Sequence, residues 1–292
     1  MLISDLDDII GHSKYTAYYL SPKNSLNILI KICINKSWYI LKVFKNINCF
    51  EKEVDFMYLL NKNLCKAPRL ARYGSTNSKS WVLYEYVDGV GLDEKKSQLS
   101  LNNLKQIWKQ VGKGLRRIHS IPLQCETKKK ENLDRFVNQI ERIVLSFNNY
   151  LDHNDTSLFL VRGIQFLKNN FHCIYKKENY GIVHYDLADR HIIIKQRNEK
   201  WIFQAFIDFE YTCFGCIYVD IAKLYIYALL DDNELEKNFW SGYMKKEMSF
   251  DKKCLCFFII FFVLRNINFH NQYGFSIIDK TLERSRKFSF GN

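Results

Sequence analysis

The stretch "GIVHYDLADRHIIIKQ", residues 181–196, runs from an apolar strand through a polar loop into a second apolar strand. The loop holds His184, Asp186, Asp189, Arg190 and His191. A carboxylate held just after a strand can accept a proton from an attacking hydroxyl, which makes Asp186 a candidate base. A ligand five residues on, at His191, can reach back over the same pocket. Further along, "WIFQAFIDFE" (201–210) is another apolar strand, and Asp208 stands at its end. A carboxylate there is a natural hard-oxygen ligand for Mg²⁺. Taken singly, each of these residues reads equally well as an ordinary loop charge.

Upstream, the first ninety residues are β-rich. The runs "YTAYYL" (15–20), "LNILIKICI" (26–34) and "SWYILKVF" (37–44) are broken by "SPKNS" and "NKS", which suits antiparallel hairpins. Two further strands are expected at "RLARYG" (69–74) and "SWVLYEYV" (80–87). Between them "CFEKEVDFMYLLNKN" (49–63) has helical spacing, with Phe50, Val54, Met57 and Tyr58 on one side. Strand alternation puts Ile40, Lys42 and Phe44 on one face and Leu41 and Val43 on the other. A lysine in mid-strand is costly unless something anionic meets it, and Glu53, eleven residues later, is placed to do so. In isolation the pair reads more readily as two solvated surface charges.

After "VDGVGLDE" (87–94) the character changes, with helix-like stretches near 99–119, 131–151 and 155–177 and more helices at the C-terminal end. The inferred architecture is a small β-rich lobe, a short connector and a larger helical lobe with a central β insert. No repeat or low-complexity segment interrupts it. The 292 residues include 47% apolar and 25% charged side chains, ordinary for a globular protein. The formal charge of +12 comes from scattered lysines rather than a long stripe, so a solvated surface is favoured over a nucleic-acid footprint. The nine cysteines are odd in number and irregular in spacing, which points to free thiols in a reducing compartment. "MLISDLDDIIGHSKY" carries three Asp and no basic n-region, so it does not read as a signal peptide. The apolar run Cys254–Leu264 has 11 residues and suits a buried helix rather than a bilayer span of about 30 Å. A cytoplasmic location is expected, with no membrane insertion. A zinc site from Cys213-x-x-Cys216 and Cys254-x-Cys256 is disfavoured, because the second pair lacks the usual gap.

Lysine, aspartate, a loop ligand and a second aspartate, in that order, match the parts of kinase-type phosphoryl transfer. "IVHYDLADRHIII" resembles the catalytic loop of the aminoglycoside phosphotransferase and choline kinase superfamily, His-x-Asp-Leu-x-x-x-Asn. "IDFEYTCFGCIYVDIA" (207–222) resembles its metal-binding segment, and "FWSGYMKK" (239–246) a downstream Phe-x-x-Gly-Tyr feature. The resemblance implies an α+β, two-lobed protein-kinase-like fold. Residues 1–88 would form a small antiparallel nucleotide-binding lobe with a connector at 85–88. Residues 89–292 would form a larger, mainly helical lobe with the catalytic loop, metal site and acceptor-binding helices. It implies that Lys42 touches the α/β-phosphates and is held by Glu53. The backbone of Glu85, Tyr86 and Val87 would meet the purine, and Asp186 would orient or deprotonate the acceptor hydroxyl. Asp208 would hold Mg²⁺, His191 would take the second metal position, Asp220 would brace the loop and His184 would pack it from below.

The chain departs from the pattern at His191, where asparagine is usual and where imidazole suits softer metals than Mg²⁺. It also has no glycine in "SPKNSLN" (21–27), so Ser21, Ser25 and Asn24 must serve the phosphates. Only eleven residues separate Asp208 from Asp220, too few for a protein kinase's activation segment, which points to a small-molecule acceptor. The expected activity is transfer of the γ-phosphoryl group of ATP or GTP to a hydroxyl of an aminoglycoside-like antibiotic or another hydroxylated metabolite. A choline or ethanolamine kinase and a catalytically weak nucleotide-binding relative are the alternatives. "DDNELE" (231–236) is a carboxylate cluster that a helix start explains at least as well as a polycation site.

Overall fold

The computed structural model describes residues 6, 9–11, 14–20, 27–76, 79–122, 134, 136–138, 140–142, 144–145, 158–176, 179–245, 250–266, 278 and 280–283. In chain order the elements begin with β1 (Tyr15–Tyr19), β2 (Ile28–Ile34), β3 (Ser37–Phe44) and α1 (Ile47–Lys62). Next come β4 (Leu70–Thr76), β5 (Lys79–Glu85), β6 (Val90–Gly91) and the short helix α2 (Leu92–Lys95). The helices α3 (Leu101–His119) and α4 (Leu158–Asn169) precede β7 (Tyr180–Val183), β8 (Ile192–Arg197), β9 (Lys200–Phe206) and β10 (Cys213–Cys216). The chain closes with α5 (Tyr218–Leu224), a π-helical turn (Tyr225–Leu229), α6 (Asn233–Tyr243) and α7 (Lys252–Asn266).

Two compact units result: residues 1–98 with 190–212, and residues 99–189 with 213–292. The first holds an antiparallel sheet in the order β1-β2-β3-β5-β4. Asn35 and Lys36, at φ +48° and +68°, make the tight β2–β3 turn whose twist matches the flanking strands. Leu41 and Val43 pack with Ile30, Ile32, Trp81 and Leu83 into a core that also takes Leu6, Ile9 and Ile10. Ile40 and Lys42 point to the opposite face, as alternation requires, and line a cavity. The residue-88 boundary expected from sequence lies inside this unit, because Val90 and Gly91 pair with Ile194 and Ile193 of β8. Gly89, at φ +147°, starts that crossing, where a side chain would run into the carbonyl of Ile194.

Helix α1 differs in phase from the sequence reading. Its buried stripe is Phe50, Glu53, Phe56, Met57 and Leu60, whereas Tyr58 is 63% exposed. A carboxylate within the stripe moves the buried face by one position, which a count of apolar residues passes over.

In the second unit α3 and α6 cross at Gly112 and Gly242. A side chain on either would collide with the backbone of the other helix. Trp108 and Phe239 meet edge-on beside the crossing. Helix α7 is buried on every side from Cys254 to Leu264, which is why its sequence shows no polar face. Among the described residues no helix is long and apolar enough to cross a membrane. Asp232 caps α6, accepting the N–H groups of Glu234 and Leu235 at 3.0 Å, so the "DDNELE" acids form a helix start. The four-residue β10 pairs antiparallel with β7. The stretch near 131–151 is helical at its described positions, which include Phe136, Val137 and Ile140.

Candidate active site

The candidate residues divide between the units. Lys42, Glu53, Glu85, Tyr86, Val87, His191 and Asp208 fall in the first, and His184, Asp186 and Asp220 in the second. Ser25 lies outside the described residues.

In the first unit β3 carries Lys42 inward and α1 presents Glu53 to it, Nζ to Oε2, at 2.9 Å. The register of β3 and β5 sets Tyr84 opposite Ile40, and the Tyr84 hydroxyl donates to Glu53 Oε1 at 2.6 Å. Two further carboxylates converge on the ammonium, Asp208 Oδ1 at 3.1 Å and Glu210 Oε2 at 3.0 Å. Glu210 also accepts from the side-chain amide of Asn27 at 2.6 Å. Burial alone would lower the Lys42 pKa, but Glu53, Asp208 and Glu210 outweigh it and hold the ammonium well above its ordinary range. Burial, followed by the negative charge of Glu53, pushes the Tyr84 phenol up, so it stays a donor.

Lys42, Glu53, Tyr84 and Asp208 of this cluster line a cavity of about 420 Å³. Leu29, Ile40 and Met57 give it apolar lining, Ile193 and Ile207 contribute from the β8–β9 region, and Glu85–Val87 line it as well. Its volume falls in the range of small-molecule sites. Tyr86 N–H donates to the carbonyl of Trp38, while Glu85 N–H donates to that of Arg69, which fixes the connector's backbone.

Asp208 sits at φ +64°, a strained conformation for a non-glycine residue, of the kind concentrated at functional sites. The kink aims Asp208 and Glu210 at the same lysine. The Asp208 side chain remains 43% exposed, so a hard oxygen faces the open cavity. His191 Nε2 stands 3.6 Å from Asp208 Oδ2. That nitrogen also accepts from Arg190 Nε at 3.1 Å, which occupies its lone pair. Asp208 therefore fits a magnesium ion, whereas His191 as it stands does not offer Nε2 to one.

In the second unit Asp220, fully buried at the start of α5, grips the loop after β7. Its Oδ2 accepts His184 N–H and its Oδ1 accepts Tyr185 N–H, both at 2.8 Å. His119 Nε2 donates to Oδ2 at 3.1 Å, and the other ring nitrogen lies 2.6 Å from the Tyr243 hydroxyl. Burial opposes the carboxylate charge, but His119, the nearby His184 ring and the backbone donor outweigh it, so the Asp220 pKa is lowered. Tyr185 is held at φ +70°, its ring against Phe136 and Phe262, and His184 is buried. Asp186 then follows with Oδ1 at 2.8 Å from Lys223 Nζ of α5.

Tyr84, Glu210, Asn27, His119 and Lys223 were not singled out from sequence. A signal existed for two of them. Glu210 lies within the "FIDFE" run, and Lys223 follows Asp220 at the i, i+3 spacing that shares a helix face. Cys213 and Cys216 lie on β10, paired with Val183 and Tyr180. Among the described residues no three His, Cys, Asp or Glu side chains converge as a metal cluster. Magnesium commonly takes one or two carboxylates, with water and phosphate completing its shell.

A lysine–glutamate ion pair, a metal-holding aspartate and a loop aspartate are recurring parts of kinase-type phosphoryl-transfer sites. Residues 39–251 match the model of the phosphotransferase enzyme family, and the chain belongs to that family. Its fold is kinase-like, as shown by its similarity to spectinomycin phosphotransferase in complex with ADP and spectinomycin. That match has a TM-score of 0.66 and 15% identity, covering 97% of this chain and 98% of the other. The GDP complex of aminoglycoside 2′-phosphotransferase-IIIa matches with TM-score 0.66 and 15% identity over 99% and 97% of the two chains. An aminoglycoside phosphotransferase from Streptomyces rimosus matches with TM-score 0.58 and 18% identity over 90% and 96%. A search of curated proteins finds no match to the chain.

Proposed function

We propose that the protein transfers the γ-phosphoryl group of ATP or GTP to a hydroxyl of a small molecule, an aminoglycoside-like antibiotic or another hydroxylated metabolite. The observation that carries this reading is Lys42, held by Glu53 at 2.9 Å in a cavity that the Glu85–Val87 connector also lines. Lys42 would leave Asp208 for the α/β-phosphates, with Glu53 keeping its ammonium in place. The connector backbone would meet the purine. Asp208 would hold Mg²⁺, which when bound neutralises phosphate charge. His191 would join as a second donor once Nε2 gives up the Arg190 N–H.

In the reaction, the acceptor oxygen forms a bond to the γ-phosphorus while the bond from that phosphorus to the β–γ bridging oxygen breaks. The nucleoside diphosphate leaves, and the hydroxyl proton passes to the Asp186 carboxylate. Asp220 and His184 would keep the loop in place throughout. The tight bracing of residues 184 and 185 supports this, because a base must be fixed to act on a bound hydroxyl. Aromatic rings of the kind that would cage choline do stand near Asp186, but Lys223 Nζ already lies 5.1 Å from the Phe262 ring centre and 6.0 Å from that of Tyr185. That favours a hydroxylated acceptor without a quaternary ammonium at this point.

The test is a coupled nucleotide-turnover screen with Mg²⁺ against aminoglycosides, peptide antibiotics, choline, ethanolamine and amino sugars. Acceptor-dependent turnover is expected. Tight nucleotide binding with no turnover on any acceptor would move the reading to a nucleotide-binding relative without catalysis.

A further inference from the structure

We propose that Lys223 is a positioning residue for the base, restricting the orientation of the Asp186 carboxylate; this rests on the assignment of Asp186 given above. Two residues on one face of α5 act on consecutive parts of the same loop. Asp220 takes the backbone N–H groups of His184 and Tyr185, and Lys223, one turn on, takes the Asp186 side chain at 2.8 Å. The lysine side chain is 15% exposed, and its ammonium lies against the faces of Phe262 and Tyr185. Ring faces attract a cation, and shielding from water strengthens its pull on the carboxylate. The ammonium is therefore held where it stands.

The geometry separates this task from holding the loop together. Asp220, His119 and Tyr243 already anchor the loop backbone from within the fold. Lys223 touches the reacting side chain instead. A base must be fixed in place to meet the hydroxyl it deprotonates, and an adjacent cation shielded from water restricts where its carboxylate points. With Oδ1 engaged by Lys223, the carboxylate has less freedom to rotate away from a bound hydroxyl.

The experiment compares wild type, K223M, K223R, D186N and the D186N/K223M double variant. ATP and GTP turnover is measured with Mg²⁺ against spectinomycin, kanamycin, choline and ethanolamine, and nucleotide affinity by fluorescence titration of an ATP analogue. K223M is expected to lower kcat by roughly 10- to 100-fold, a part of what a general base supplies. Nucleotide Kd should stay within about twofold of wild type, K223R should recover most of the rate, and in the D186N background K223M should cost little more. A K223M kcat within about twofold of wild type would overturn the role. So would an equal further loss in the D186N background, or a loss that tracks nucleotide affinity and is not rescued by arginine, since that is a structural effect. A wild type silent on every acceptor counts against the base assignment and this proposal together. An active wild type with an unimpaired K223M removes Lys223 alone.

Discussion

Lys42 of β3 and Glu53 of α1 form a buried ion pair, Nζ to Oε2, at 2.9 Å, and Asp208 and Glu210 add two carboxylates to the same ammonium. Three acids around one base leave the cluster with net negative charge before anything binds. Removing the cation would strand them. Lys42→Met is expected to cost about 3–5 kcal/mol of stability, the range for breaking a buried pair from one side. It should also weaken nucleotide binding at least tenfold. Thermal denaturation and nucleotide titration check the two effects separately.

Tyr84 donates to the other oxygen of Glu53 at 2.6 Å. Tyr84→Phe keeps the ring and removes the donor from a buried carboxylate. Hydrogen bonds to charged groups contribute about 1.5–3 kcal/mol, so a loss in that range is expected by urea denaturation. An unchanged midpoint would show that Glu53 is held by Lys42 alone.

Asp220 supplies the clearest pH dependence. Burial penalises its charge, but His119, the His184 ring and the backbone N–H donor outweigh that and leave its pKa lowered in the folded chain. A lowered folded value means that the unfolded state binds the proton more tightly. The stabilisation is thus fully present above the ordinary value of 3.8 and is lost as pH falls through the folded value. Asp220→Asn should reduce stability at neutral pH and flatten this acid limb, read as melting temperature against pH. An acid limb as steep as wild type would assign the transition to other carboxylates.

Gly242 and Gly112 let α6 and α3 approach closely, and a methyl on Gly242 would strike the carbonyl of Lys109. Gly242→Ala must push the helices apart and is expected to cost at least the roughly 1–3 kcal/mol typical of overpacking. Chemical denaturation measures it directly. Its effect on nucleotide affinity should be small by comparison, because among the described residues none of either helix lines the cavity at Lys42.

Much of this was legible in the sequence, for identifiable reasons. The boundaries of β3 follow from its β-branched and aromatic run, and alternation alone separates Lys42 from Leu41 and Val43. The loop from His184 to His191 announces itself as charge between two apolar strands. Other parts depend on register or phase. Tyr84 reaches Glu53 only because β5 pairs with β3 so that Tyr84 lies opposite Ile40. Tyr58, assigned to the buried face of α1, is exposed because Glu53 takes a place that an apolar count leaves out. β10 has four residues and becomes a strand only through its ladder with β7. The Arg190 N–H on His191 belongs to side-chain geometry that no spacing rule encodes.

Whether Asp186 takes the proton in phosphoryl transfer is decided by single-turnover kinetics of Asp186→Ala beside nucleotide titration. A fall of roughly 10²- to 10⁴-fold in the transfer rate is expected, the contribution of a positioned general base, with nucleotide Kd within about twofold of wild type. Transfer at the wild-type rate in Asp186→Ala would contradict it.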